Sequence, residues 1–344
     1  QFKAIDNSLT CIETLDPVYA TANWTNANGN IDDGVTFDVI CGAEARTQWY
    51  VATTGSDNSG SGTLASPLAN IQTAINATTN GDTVSVAAGT YVENLVFGGK
   101  NLSLIGADSS NTIIDGDSVS QVINLHNGED STTVIKNFTL RNGIGWEGNG
   151  SAILMGGGAE FGPKLENLCI TQNSFSTGGN AITSFGSTFS LKNSRIINNY
   201  GRALSIQHPQ SSTIDNVIIS GNAKGIEVHM ASPIFTNVTI SNNGDLAIFL
   251  RGEYLTLKNT LIAGNEGGVF TENGGSLTMI NSNIVYNTGR PLALERGGSW
   301  TIINSIIYHN TNPVMLLSHD EQSAVYISHS NIEGGQGSID NENG

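Results

Sequence analysis

The 344-residue chain is long enough for one large domain or two ordinary ones. Its 41 glycines and about 40 asparagines, against 13% charged and 7% aromatic residues, exclude a helical bundle, while 38% hydrophobic residues in recurring clusters exclude disorder. A net charge of −16, from 14 basic and 30 acidic residues, repels phosphate backbones and anionic lipid, and no apolar run approaches the roughly 18 residues of a bilayer span, so neither a nucleic-acid partner nor membrane insertion is expected.

The chain opens at Gln1 with neither an initiator Met nor a signal peptide, which suits a mature secreted product and equally a trimmed chain. The three cysteines, Cys11, Cys41 and Cys169, lack CxxC spacing and argue against a metal site. Two of them share residues 1–47, where a Cys11–Cys41 disulfide is favoured over free thiols. That pairing implies an oxidising, extracellular setting.

In residues 48–131, Ile71 to Thr78 lies between Pro67 and the Asn80-Gly81 turn and reads as a short amphipathic helix. It is suited to cover the open apolar end of a repeat array, since terminal repeats need caps. Strands are expected at 83–87, 95–97, 102–105 and 112–114.

From about residue 132 one cassette recurs, beginning with Ile-Lys-Asn-Phe-Thr-Leu at 135–140 and reaching Ile-Ile-Asn-Ser-Ile-Ile at 302–307. Its central residues are Asn137, Asn167, Asn193, Asn216, Asn237, Asn259, Asn281 and Asn304, at spacings of 30, 26, 23, 21, 22, 22 and 23. Ile, Leu, Phe or Met stands two residues before each, and Leu or Ile three after. A second asparagine follows six residues on in seven copies (Asn173, Asn199, Asn222, Asn243, Asn265, Asn287, Asn310), with Asn142 five residues on in the first. A leucine-rich repeat would need leucine at several fixed places and a helical or extended return. Here the return is another short β-prone run, as in Gly225-Ile-Glu-Val-His-Met230, so three short strands per coil make a parallel β-helix. Stacking then places Asn137 through Asn304 in one column inside a turn, where each amide donates to one neighbour and accepts from the other.

Trp49-Tyr-Val-Ala-Thr-Thr-Gly-Ser-Asp-Asn58, Ser66-Pro-Leu-Ala-Asn-Ile-Gln-Thr-Ala-Ile75 and Gly81-Asp-Thr-Val-Ser-Val-Ala-Ala-Gly-Thr-Tyr91 carry a family likeness. Over residues 48–344 the chain resembles right-handed parallel β-helix proteins of the pectin-lyase-like superfamily. The resemblance implies an all-β solenoid, with ten to eleven coils expected behind the capping helix. It specifies fold and not activity, because the superfamily holds lyases, hydrolases, epimerases and adhesins. Residues 1–45, through Asn7-Ser-Leu-Thr-Cys-Ile12, Asp16-Pro-Val-Tyr19, Asn23-Trp-Thr25 and Cys41, resemble the segment that ends leucine-rich-repeat arrays in surface proteins of Bacteroidetes-type bacteria. This second resemblance implies a secreted or surface-attached bacterial product with further domains beyond either end.

Enzymes of the superfamily work beside the first strand of each coil, assigned here to the run after the second asparagine. Alternation places Leu204/Ile206, Ile226/Val228, Ile248/Leu250, Leu292/Leu294 and Val314/Leu316 inward. The outward residues form two columns: Ser205, Glu227, Phe249, Phe270, Ala293 and Gln207, His229, Arg251, Glu272, Glu295. Exposed aromatic faces beside planar hydrogen-bonding groups suit sugar recognition, which makes Glu227, His229, Phe249, Arg251, Phe270, Glu272 and Glu295 the candidate ligand-binding set. The bland alternative is a solvated face whose opposite charges offset one another.

No catalytic signature stands out, and the candidates are His229, Arg251, Glu272 and Glu295. Glu272 and Glu295, one coil apart, could meet the roughly 5–5.5 Å separation of retaining glycosidases. Asp115 and Asp117 sit in a turn without the acidic cluster calcium requires, so no metal and no cofactor are expected. Cys169 is expected to be outward, partly covered and inert. His329 stands in a ladder position, and His208, His309 and His319 lie at turns or strand ends.

These readings favour a non-catalytic, adhesin-like surface protein that binds or organises extracellular glycans. The alternatives are a polysaccharide lyase or glycoside hydrolase acting at the Arg251 face, and a structural spacer or filament subunit built by self-association.

Overall fold

The computed structural model describes residues 2–41, 46–145, 149–158, 162–175, 179–208, 211–312, 315–318 and 323–341. The chain winds into a parallel β-solenoid of about 13 turns. This exceeds the expected ten to eleven, and the rungs at Gln48–Val51, Thr83–Val86 and Ser103–Gly106 precede the first asparagine cassette. The apolar residue before each asparagine stacks in strict parallel register, as in Ile214, Phe235, Leu257, Met279 and Ile302. All five are fully buried. The apolar residues three after the asparagine do the same on the next leg, and together they form one continuous core along the axis. Two legs of every coil share a 21-stranded sheet, and the third leg forms a separate 11-stranded parallel wall.

Both asparagine columns stack, but they divide the work differently from the expectation. Asn137 through Asn304 take left-handed backbone, with φ between 49° and 67°. Asparagine tolerates this conformation better than other residues with a side chain, and it turns the chain sharply between two legs. Most of these side chains are exposed, and neighbouring amides link in pairs: Asn167 Nδ2 donates to Asn137 Oδ1 at 2.8 Å, and Asn304 Nδ2 to Asn281 Oδ1 at 2.7 Å. The buried ladder is the second column. Each of Asn173, Asn199, Asn222, Asn243, Asn265 and Asn287 donates both its backbone N–H and its Nδ2–H to Oδ1 of the next, ending on Asn310, at 2.9–3.1 Å. In the later coils a hydroxyl ladder runs beside it, one residue after the outer asparagines, where the Ser282 hydroxyl accepts from the Thr260 N–H and the Ser305 hydroxyl from the Ser282 N–H.

The expected cap forms as α2 (Ile71–Ala77), with Ile71, Ala74 and Ile75 buried against the first coils. Its free backbone groups are met from the next coil. Glu93 accepts from the Ile71 and Gln72 N–H groups at 2.8 Å each, and Lys100 Nζ donates to the Ile75 and Asn76 carbonyls at 2.8 and 2.7 Å. Carboxylate at the amino end and ammonium at the carboxyl end is the arrangement the helix dipole favours. Ahead of the solenoid, Asp16 caps α1 (Pro17–Asn23), and strands β1 (Cys11–Glu13) and β2 (Thr36–Asp38) pair in parallel. A Cys11–Cys41 disulfide closes this segment, and Ile40 joins the solenoid core.

Candidate functional site

The wall strands Asn180–Phe185, Arg202–Gln207, Lys224–His229, Leu246–Arg251, Gly267–Glu272 and Leu292–Glu295 carry the two outward columns in the expected register. Glu227, Phe249, Phe270 and Ala293 are sequential partners in one column, and His229, Arg251, Glu272 and Glu295 in the other. The inward residues Leu204, Ile206, Ile226, Val228, Ile248, Leu250, Leu292 and Leu294 are all buried. In the following rung the alternation is shifted by one residue. Met315 is buried and the Leu316 backbone is in register with Ala293, while Val314 lies outside the described residues. From Asn199 onward the turn from the buried asparagine to the first inward residue varies between four and five positions, from Asn222 to Ile226 but from Asn287 to Leu292. After Asn310 the longer form applies.

At the centre of the wall the Phe249 and Phe270 rings lie 5.4 Å apart at 44°. They are half-buried rather than exposed, each ring covering part of the other, and the Arg251 guanidinium sits 5.1 Å above the Phe249 ring. That cation–π contact fixes the guanidinium over the ring while its other side meets Glu272, with Nε and Nη2 both 3.1 Å from Oε2. Arg296, in the turn beyond the next rung, reaches the other Glu272 oxygen at 3.5 Å. Glu227 forms a separate ion pair with Arg202 at 2.7 Å. Glu295 is the rung neighbour of Glu272 but shares neither arginine among these ion pairs.

The aromatic character extends toward the amino-terminal coils. His229 follows His208 at 6.2 Å between ring centroids, and His208 meets Phe185 edge-on at 4.9 Å. Phe185 is 49% exposed and shares the register position of Gln207. Sequence reasoning missed Phe185 because the turn from Asn173 to this rung is longer than its successors, which breaks the count. Arg202 and Arg296 were missed because they flank the two columns, and only the fold brings them to Glu227 and Glu272. Alternation within Asn180–Phe185 was the signal that could have revealed the phenylalanine.

The catalytic arrangement finds less support in the geometry. A retaining pair needs one carboxyl to attack and one to carry a proton. Here Glu272 is engaged on both oxygens by guanidinium groups and is only 16% exposed. Elsewhere, Asp115 receives Arg141 Nε at 2.8 Å and the Asn142 amide at 2.9 Å, so its carboxylate is already occupied. Cys169 stands in the outward column but is buried, with Arg195 Nη2 3.8 Å from its sulfur. His329 takes the left-handed turn position of the outer asparagines, with φ 50°. His309 stacks on Tyr286 at 5.2 Å, and His319 lies outside the described residues.

A family model described as the right-handed beta helix region matches residues 121–252 and 203–344. No curated protein matches the chain by sequence. Among solved structures, the chain is similar to pectate lyase Pel9A, with 16% identity, a TM-score of 0.56, and 84% of this chain and 80% of that one covered. It is also similar to XylC in its complex with xylose, with 12% identity, a TM-score of 0.60, and coverage of 82% and 83%. For a rhamnogalacturonan lyase the figures are 12%, 0.55, 84% and 88%. At these identities the likeness is one of fold.

Proposed function

The chain belongs to the right-handed β-helix family, and from that premise we propose that it is a secreted, non-catalytic protein whose wall binds extracellular glycans. One observation carries the reading: Phe249 and Phe270 form a tilted pair on a flat outward face, with a guanidinium held over one ring. Pyranose rings present C–H faces that pack on aromatic surface, and their hydroxyls pair with planar donors and acceptors such as Arg251, Glu272 and His229. Fold neighbours that act on polysaccharides are consistent with this class of partner. The disulfide fits an oxidising compartment, and no helix among the described residues is long and apolar enough to cross a membrane. The non-catalytic part rests on the engagement of Glu272 by two arginines.

Affinity electrophoresis and a glycan array, run with wild type and a Phe249→Ala plus Phe270→Ala variant, test the reading. Retention of a glycan by the wild type and its loss in the variant are expected. Equal retention by both proteins would place the binding face elsewhere, and new reducing ends or unsaturated products would make the protein an enzyme.

A further inference from the structure

We propose that the wall selects uncharged glycans and rejects uronate-bearing ones; this deepens the glycan-binding reading and rests on it. Capture of a sugar carboxylate is strongest at a guanidinium or ammonium whose charge no protein carboxylate already offsets. On this wall three arginines are already offset by carboxylates, and Lys224 and Arg290, away from the phenylalanine pair in register, are in none of the ion pairs among the described residues. Arg251 gives two nitrogens to Glu272 and lies over Phe249, Arg296 turns to the same carboxylate, and Arg202 is paired with Glu227 at 2.7 Å.

The wider balance points the same way. Between residues 202 and 296 the wall and its flanking turns hold five basic residues (Arg202, Lys224, Arg251, Arg290, Arg296) and six acidic ones (Glu227, Asp245, Glu253, Glu266, Glu272, Glu295), a sum of −1 with histidine counted neutral. That wall belongs to a molecule of net charge −16. An acidic polymer would therefore meet no excess of positive charge at close range and repulsion at long range. A neutral polymer loses nothing by this arrangement. Its ring faces find Phe249, Phe270 and the more exposed Phe185, and its hydroxyls find carboxylates and guanidiniums whose mutual pairing fixes their directions.

The test compares neutral polymers (galactan, xylan, glucomannan) with carboxylate-bearing ones (polygalacturonate, glucuronoxylan, alginate) on the full chain, at low and at moderate salt. Binding to at least one neutral polymer, little affected by salt, with none to the acidic set is expected. Tighter binding to an acidic polymer that salt abolishes would overturn the selectivity while leaving the glycan reading intact. Binding to neither class would overturn both. A second arm uses Glu272→Gln, which frees two guanidiniums. It should bring acidic-polymer binding to about tenfold or more above the wild-type detection limit, with a salt dependence. A folded Glu272→Gln protein, by circular dichroism and melting, that gains no acidic binding would count against the proposed role of the ion pairs.

Discussion

Substituting one amide in the buried ladder should destabilise the solenoid far more than substituting one in the exposed column, although the two residues look alike in the sequence. Asn243 is 2% exposed. Its Oδ1 accepts from both the backbone N–H and the Nδ2–H of Asn222 at 3.0 Å, and its Nδ2 donates to the Ile219 carbonyl at 3.2 Å and to Asn265 Oδ1 at 2.9 Å. Asn243→Ala leaves the Asn222 backbone N–H without its partner in a dry interior, and it removes one partner each from the Asn222 Nδ2, which keeps the Ile196 and Ser220 carbonyls, and from the Ile219 carbonyl. At about 1–3 kcal/mol for an orphaned buried group, and less for groups that lose one of several bonds, the loss is about 2–4 kcal/mol.

Asn237 has the opposite surroundings. It is exposed, its φ is 55°, and its side chain bonds only Asp215 and Asn259. Asn237→Gly should cost under about 1 kcal/mol, since glycine adopts this backbone freely, and Asn237→Ala about 1–2 kcal/mol from the left-handed strain. Because coils interact mainly with their neighbours, unfolding need not be all-or-none, and native-state hydrogen exchange at the Asn222 and Asn243 amides is the suitable assay. Asn243→Ala should lower protection there by about 100-fold or more. Equal losses from Asn243→Ala and Asn237→Ala would refute the division between the two columns.

Three further outcomes follow from other parts of the molecule. Replacing both Cys11 and Cys41 by serine opens a crosslink spanning 30 residues and should destabilise the amino-terminal segment by about 3–4 kcal/mol. Limited proteolysis should then cut within residues 2–41 while the solenoid stays intact, whereas cleavage throughout would show that the segment supports the coils as well. Gly268→Ala places a methyl group 2.0 Å from the Pro291 carbonyl oxygen and should displace Phe270, reducing both stability and glycan retention; an unchanged melting temperature would contradict the tight inter-coil approach. Burial raises the Glu93 carboxyl above its ordinary pKa, against the pull of the Gln72 and Ile71 N–H groups. With the folded value raised, its linked stability is complete below the ordinary glutamate range and is lost as pH rises through the folded value. Wild type should therefore lose stability relative to Glu93→Gln across that window, as read by melting temperature against pH, and a constant difference would be contrary to the burial argument.

The solenoid was legible in the sequence because identical polar residues at a near-constant period can become neighbours only by stacking. The pairing of Cys11 with Cys41 and the two outward columns were legible too, the latter because strand alternation survives whatever the coil diameter. Which asparagine column is buried was not, since both recur almost without exception. The one usable clue was His329, a bulkier residue that fits only where the column faces open space. Partners that join from outside the columns, such as Arg202 with Glu227 and Arg296 with Glu272, depend on turn geometry that no periodicity encodes. The expected register after Asn310 is offset for the same reason, because a turn longer by one residue moves the first buried position, here to Met315.

The interior division of labour makes the wall a place where function can be separated from packing. The coils around the wall are held by fully buried apolar residues and by the buried asparagine ladder, neither of which involves Phe249 or Phe270. Two half-buried rings on a strand's outer face add some apolar burial, on the order of 1–2 kcal/mol for the pair after the exposed portion is discounted. A fully buried aromatic replaced by alanine costs roughly 3–5 kcal/mol. The double alanine variant should therefore melt within several degrees of wild type while losing glycan retention. Core-sized destabilisation would instead identify the pair as packing for the wall, because binding loss could then follow from local unfolding. A folded, nearly isostable variant that no longer holds glycan separates the two roles, since only removal of the recognition surface produces that combination.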